Sequence, residues 1–356
     1  MTARIDPAGT LVGRYEGTGS RALLIGSHID SVRDAGRYDG PLGVMLGIEC
    51  ASALHRVGRR LPFAIEVAAF GDEEGSRFPA AMLCSRAMAG TIEARALEVA
   101  GLDEALAGWG LNRASFLSAR RDPADLIGYL EAHIEQGPVL EADGLALGVV
   151  TAIAAQKRYA VTLTGIAGHA GTNSMALRKD ALTAAAEAVL AVERIGRSGP
   201  PDLVATVGRM EVLPGAPNVV PGDVRFSIDV RAGTIAVRDP AAEAIYAAIT
   251  EITKARGIGC DIRQLYDLPP APCDRGMMDR LEKAMISIGQ PARRLVSGAG
   301  HDAMIFAGIT PMAMLFLRCR DGISHNPAES VTAEDAELAF QAMLAFIETL
   351  AEDFDG

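Results

Sequence analysis

Five of the six histidines in this 356-residue chain sit in loops rich in glycine or acid: His28 in GSHID, His133 in EAHIEQG, His169 in GHAGT, His301 in GAGHDA and His325 in ISHNPAE. Asp39 is the last acid of the stretch GSHIDSVRDAGRYDG, and the adjacent carboxylates Glu73 and Glu74 end the stretch FAIEVAAFGDEE. Imidazole and carboxylate without thiolate form a donor set suited to Zn²⁺ or Mn²⁺. Two metal ions are the economical reading of so many donors. Each piece alone is weak, since a loop histidine is usually a capping or surface residue and a Glu pair usually opens a solvated helix. What points to a metal centre is the recurrence of Gly-flanked histidine and acid directly after apolar strands. His55, in SALHRVG, reads as a residue on a helix surface.

The elements that must position these residues follow from the hydrophobic pattern. Up to about residue 150, β-like runs such as ALLIGSHID and FAIEVAAFGDEE alternate with helical spacing such as GVMLGIECASALHRVG. Alternation of this kind predicts a layered α/β domain with a largely parallel sheet, in which ligands gather beyond the carboxyl ends of the strands. From residue 152 the pattern changes. Strand KRYAVTLTG, a helix over 176–194, strands DLVATVGRMEV and VRFSIDVRA, helix PAAEAIYAAITEITKARG and strand CDIRQLYDL give the order βαββαβ. The expected organisation is a discontinuous α/β domain, residues 1–151 and 269–356, interrupted by an inserted α+β domain at 152–268. A last helix is expected over 333–350.

Composition removes several function classes. A formal net charge of −11 disfavours a phosphate backbone or an anionic membrane as partner. The five cysteines are scattered without a C-x-x-C pair, which suggests neither a disulfide framework nor a thiolate zinc site and fits a reducing, cytoplasmic setting. No apolar run approaches the roughly 18 residues of a membrane span. GAGHDA lacks a G-x-G-x-x-G completion and G-x-S-x-G is absent, which sets aside dinucleotide-binding and serine-hydrolase readings. A non-catalytic small-molecule binder would have no need of Glu73.

The stretches GSHIDSVRDAGRYDGPLGV, FGDEEGSRFP, EAHIEQGPVLE, GIAGHAGT, PNVVPGDVRFSIDVR, SGAGHDAM and ISHNPAES, taken in order, resemble the metal-dependent amidohydrolases of the M20 peptidase clan. Within it, the branch of allantoate amidohydrolases and N-carbamoyl-L-amino-acid hydrolases is the most similar. The resemblance covers nearly the whole chain. It implies an M20-type catalytic domain with an inserted dimerisation or lid domain, two divalent ions per subunit, Zn or Mn, and a homodimer formed through the insert. His28, Asp39, Glu74, His133 and His325 are implied as metal ligands, with Asp39 bridging, and Glu73 as catalytic base. His169 is implied to polarise the substrate carbonyl from the partner subunit. Arg231 and Asn218 are implied to hold a substrate carboxylate, Gln136 to offer an amide contact and Gly300 a backbone contact. His301 and Asp302 are read as residues that support the ligands or shape the loop. The implied substrate is a small ureido carboxylate: allantoate first, an N-carbamoyl amino acid second, and an unblocked dipeptide third.

Two stretches depart from the pattern. Asn173 and Ser174 stand where relatives often have an apolar residue and proline, and AAQKRY replaces a more usual Gly-containing turn.

Overall fold

The computed structural model describes residues 1–78 and 80–354. The chain divides into two compact units, Met1–Ile153 with Ala271–Gly356, and Ala154–Pro270.

In the first unit a nine-stranded sheet carries the core. Its centre is four parallel neighbours in the order Ala64–Phe70, Ala22–His28, Leu126–Ile134 and Met312–Leu317. Three of these are buried along their full length, which is why they read as near-continuous apolar runs without the alternation of a half-exposed strand; the buried Glu66 interrupts Ala64–Phe70, and Ser27 and His28 close Ala22–His28. Helix Pro41–Arg56 makes the crossover between the strands Ala22–His28 and Ala64–Phe70, as a parallel pair requires.

The expectation of a largely parallel sheet holds only for that centre. Strands Thr2–Ile5 and Leu11–Tyr15 pair antiparallel with each other, and Leu11–Tyr15 is antiparallel to Ala64–Phe70. On the far side, Leu147–Ile153 runs antiparallel to Met312–Leu317 and to Ala271–Pro272, and parallel to Arg294–Ser297. The cause is the connections. Asp6 Oδ1 accepts the N–H groups of Ala8 and Thr10, both at 2.8 Å, closing a turn too tight for a crossover. Between Leu126–Ile134 and Leu147–Ile153 the only helix is the four-residue Val139–Ala142, so the chain simply reverses. The last helix, Ala333–Glu352, starts at its expected residue, where Thr332 accepts the Asp335 N–H at 3.0 Å.

The second unit is a five-stranded antiparallel sheet in the order Met210–Leu213, Asp223–Ala232, Ala155–Thr164, Gly259–Leu268, with Val204–Thr206 also paired to Asp223–Ala232. In Asp223–Ala232 the residues Val224, Phe226, Ile228 and Val230 are buried with Ala184, Ala185, Ala188, Ile245 and Ile249 of helices Ala181–Ser198 and Ile235–Arg256. The alternate residues Asp229 and Arg231 therefore stand on the other face.

Three local expectations are corrected here. The first helix begins at Ala181, not 176, because Asp180 Oδ1 accepts the N–H groups of Leu182 and Thr183; Ala176 belongs to a single turn, Met175–Leu177. The second helix begins at Ile235, five residues before Pro240, which costs one intrahelical hydrogen bond near the helix start. DLVATVGRMEV is two short strands, Val204–Thr206 and Met210–Leu213, with residues 207–209 between them.

Candidate metal centre

The four parallel central strands end side by side, and each leads to a candidate ligand. His28 is the last residue of its strand, His133 the penultimate residue of its own, Glu73 and Glu74 follow Ala64–Phe70, and His325 lies in the loop after Met312–Leu317. Asp39 precedes helix Pro41–Arg56 and is reached through Gly40. That glycine has φ +84°, and a Cβ there would fall 2.5 Å from His28 Cε1, so no other residue fits.

The two oxygens of Asp39 face two groups of donors. Oδ1 lies 3.1 Å from His133 Nε2 and 3.6 Å from His28 Nε2, and these two nitrogens are 3.4 Å apart. Oδ2 lies 3.0 Å from His325 Nε2, which is itself 3.2 Å from Glu74 Oε1. In each of the trios His28/Asp39/His133 and Asp39/Glu74/His325 the donor atoms fall within 4.8 Å of one another. His28 Nδ1 and His133 Nδ1 each lie 2.9 Å from a backbone carbonyl, of Asp30 and Ile134 respectively. A carbonyl only accepts, so in the neutral rings Nδ1 carries the proton and each Nε2 turns a lone pair towards Asp39. The buried Glu74 Oε1 has no hydrogen-bond partner among the described residues. Lone pairs converging on carboxylates repel unless a cation stands between them, so these residues fit a pair of divalent ions.

The backbone is bent to make this arrangement. Asp72, Gln136 and His325 have φ of 57°, 56° and 55°, a left-handed conformation that costs a non-glycine residue about 1–3 kcal/mol unless its surroundings impose it. After Asp72, the N–H groups of Glu73 and Glu74 reach the two carboxylate oxygens of Asp30 at 3.1 and 3.2 Å. That grip sends the adjacent side chains different ways.

The electrostatics are those of a site short of positive charge. Burial, then the charge of Asp302, pushes Glu73 up to about 9, and burial with Glu131 pushes Asp302 up to about 8. A proton can stand between ring and carboxylate where a cation would: burial works against a protonated His28, yet Asp39 and Glu73 together raise it to about 11, and a bound divalent ion would displace that proton and leave the ring neutral. Asp39 would also be raised by burial, but the imidazoles of His133 and His28 hold it below the usual carboxylate range.

Behind the ligands, His301 is buried with its ring edge-on to His133, centroids 4.4 Å apart, and its Nε2 is 2.8 Å from Ser297 Oγ. Burial lowers its pKa well below the ordinary value, so the ring is neutral. Glu131, His133 and His301 also bring donor atoms within 4.8 Å. Glu131, however, already accepts from Ser27 Oγ at 3.1 Å, Tyr129 Oη at 2.9 Å and the Ala303 N–H at 2.8 Å. It is a support, not a ligand. Sequence reasoning gave Glu131 and Asp30 no role; the available signal was a carboxylate inside the otherwise apolar strand LIGYLEAHI.

Gln136 joins the centre, its Nε2 donating to Asp39 Oδ2 at 3.0 Å. Beside it a cavity of about 430 Å³ is lined by Gln136, Ala299, Ser324, His325 and Asn326. Gly300 follows Ala299 in the chain.

The other candidates belong to the second unit. His169 and Val219 are register partners in a two-stranded ladder, Gly168–His169 with Val219–Val220, and the Asn218 carbonyl accepts the Ala170 N–H at 2.9 Å. His169 Nδ1 accepts the Gly171 N–H at 3.1 Å, so Nε2 carries the proton and is a donor. Arg231 is gripped by Asp229 through Nε at 2.8 Å and Nη2 at 3.0 Å. The same carboxylate accepts from Gln156 Nε2 at 2.6 Å and Arg158 Nε at 2.7 Å.

Comparison with known proteins adds an independent line. Residues 24–349 match the family described as Peptidase family M20/M25/M40. The chain is 40% identical over 354 residues to an N-carbamoyl-L-amino acid amidohydrolase of Geobacillus stearothermophilus, covering 98% of this chain and 86% of that protein. It is 38% identical over 384 residues to allantoate deiminase 1 of Glycine max, covering 98% and 80%. The crystal structure of an amidase of the hydantoinase/carbamoylase family from Burkholderia multivorans superposes with a TM-score of 0.88 at 34% identity, covering 98% of this chain and 86% of that one.

Proposed function

Because the chain belongs to peptidase family M20/M25/M40, we propose that it is a binuclear-metal amidohydrolase that cleaves the ureido C–N bond of allantoate. Water and allantoate give a ureidoglycine-type amine, ammonia and carbon dioxide. The observation that carries this reading is the division of Asp39: Oδ1 faces His133 and His28, and Oδ2 faces His325. A carboxylate shared by two ions would need its oxygens divided in that way.

His28, His133 and Asp39 Oδ1 would hold one divalent cation, Zn²⁺ or Mn²⁺, and Glu74, His325 and Asp39 Oδ2 would hold the other. The chemistry such a pair would supply when bound is Lewis-acid polarisation and a lowering of the pKa of water from about 15.7 towards about 7. Glu73, whose backbone is fixed by Asp30, would be returned to its carboxylate by the positive charge of bound cations; it would then take a proton from the attacking water and deliver it to the leaving nitrogen, a shuttle worth about 10²- to 10⁴-fold in rate. His169 offers its Nε2–H as a hydrogen bond that polarises the substrate carbonyl, arriving from the partner subunit of a homodimer formed through the inserted unit. Such a donor contributes about 3–4 kcal/mol to the transition state. Arg231 presents its planar fork to the substrate carboxylate, aided by Asn218, while Gln136 and the Gly300 backbone contact the rest of the substrate. A cytoplasmic setting belongs to the same reading: the five cysteines are unpaired, and no helix among the described residues is long and apolar enough to cross a membrane.

Hydrolysis of an N-carbamoyl-L-amino acid is the second reading, favoured by the 40% identity to the Geobacillus amidohydrolase. Both substrates offer the same carboxylate and ureido group. Ammonia release by protein loaded with Mn²⁺ or Zn²⁺ separates them: allantoate is expected to be the faster substrate, and the reverse ranking assigns the chain to the second.

A further inference from the structure

A buried carboxylate outside the donor set joins the two loops that supply Asp39 and His325. Glu329 lies four residues after His325 and is 5% exposed. Its Oε1 accepts the backbone N–H of Tyr38 at 2.8 Å and of Asp39 at 3.1 Å, and its Oε2 accepts the Ser324 hydroxyl at 3.0 Å. Ser324 Oγ also stands 3.1 Å from Asp39 Oδ2, so one hydroxyl spans the supporting acid and the shared ligand. Glu329 closes its own loop as well, its N–H donating to the Asn326 carbonyl at 3.0 Å. The approach is so close that a Cβ on Gly36 would fall 2.3 Å from both Cβ and Oε1 of Glu329.

The consequence is mechanical. Fixing the N–H of Asp39 orients the peptide that carries the ligand, and hence the division of its two oxygens between the trios. Fixing the loop from Ser324 to Glu329 keeps His325 at its φ of 55°, which a free loop would relax. We propose that Glu329 is the positioning residue of the metal pair, holding the Asp39 and His325 loops together so that the Asp39/Glu74/His325 trio is assembled before a cation arrives. The proposal rests on the two-ion reading above. Groups that orient metal ligands typically change metal affinity by about 10- to 100-fold when removed.

Calorimetric titration of metal-free protein with Mn²⁺ tests it. Wild type is expected to bind two ions per chain, and the ion lost in His325→Ala identifies the second trio. Glu329→Ala should bind that ion about 10- to 100-fold more weakly and the other ion with a smaller change. Glu329→Gln should restore most of the affinity, because its amide oxygen still accepts the two N–H groups. Two ions bound by Glu329→Ala as tightly as by wild type, or no recovery in Glu329→Gln, overturns the proposal. Should Glu329→Ala fail to fold, Gly36→Ala takes its place, since the added methyl displaces the carboxylate; wild-type affinity there overturns the proposal equally. Fewer than two ions in wild type would instead sink the two-ion reading, before any variant is compared.

Discussion

The two units of the chain hold their candidate residues in opposite ways. In the unit whose sheet is parallel at its centre, His28, Glu73 and His133 are buried at or just beyond strand ends and Asp39 just before a helix, and the candidate ligand atoms face one another. In the inserted antiparallel unit the candidates stand on an exposed ladder or on the sheet face away from the helices, and Arg231 is held by the acid two residues before it. A parallel sheet lines up several carboxyl ends on one edge, so loops distant in sequence deliver donors to one place. An antiparallel sheet alternates strand directions, and its polar side chains meet across the ladder: Arg231 is the register partner of Gln156, and Asp229 of Arg158. The first arrangement concentrates uncompensated charge, as the proposed chemistry requires; the second satisfies each group and keeps it rigid, as the proposed recognition requires.

Substitutions in each unit can break that contrast. The largest effect is expected for Glu73→Gln, with kcat falling about 10²- to 10⁴-fold while the metal content stays at the wild-type value. Unchanged turnover would remove Glu73 from its proposed role as base. Next comes Arg231→Lys, which loses the planar fork. It should raise KM by about 10- to 100-fold with a smaller change in kcat, the equivalent of about 1.5–3 kcal/mol for a charged hydrogen bond. A change confined to kcat would place Arg231 in the chemistry and erase the division of labour between the units.

The smallest effect concerns acid stability. Burial would raise Asp229, but the bonds from Arg231 and Arg158 outweigh it and hold its pKa below the ordinary value. A depressed folded-state pKa adds stability that is fully present above the unfolded value of about 3.9 and is lost as pH falls through the lower folded value. The melting temperature of wild type should therefore exceed that of Asp229→Asn most at pH 6, and the gap should close towards pH 3. A gap that does not depend on pH would mean the carboxylate contributes shape and not charge.

Much of this was legible in the chain itself, for reasons that differ by element. Fully buried strands such as Ala22–His28 and Ala64–Phe70 announce themselves as apolar runs, and the donors that follow them carry residue types rarely found after a buried strand. Helix boundaries were less legible. Asp180 and Pro240 are local signals, but which of several polar residues caps a helix depends on where the chain approaches the sheet. The supporting acids were the least legible. Glu329 acts on Tyr38 and Asp39, almost three hundred positions away, and Glu131 acts on Ser27 and Ala303. Nothing in PAES or YLEA marks those partners.

The amino-acid order alone determined the kinds of donor, imidazole and carboxylate without thiolate, and the strands that would deliver them, because side-chain chemistry and hydrophobic period are local properties. Only the folded chain decided which oxygen of Asp39 meets which imidazole, that the Nδ1 atoms of His28 and His133 face carbonyls so that Nε2 points inward, and that Glu131 is saturated while Glu74 Oε1 is not. Those are matters of direction and distance between segments far apart in sequence. Packing sets them once the strands have taken their places in the sheet.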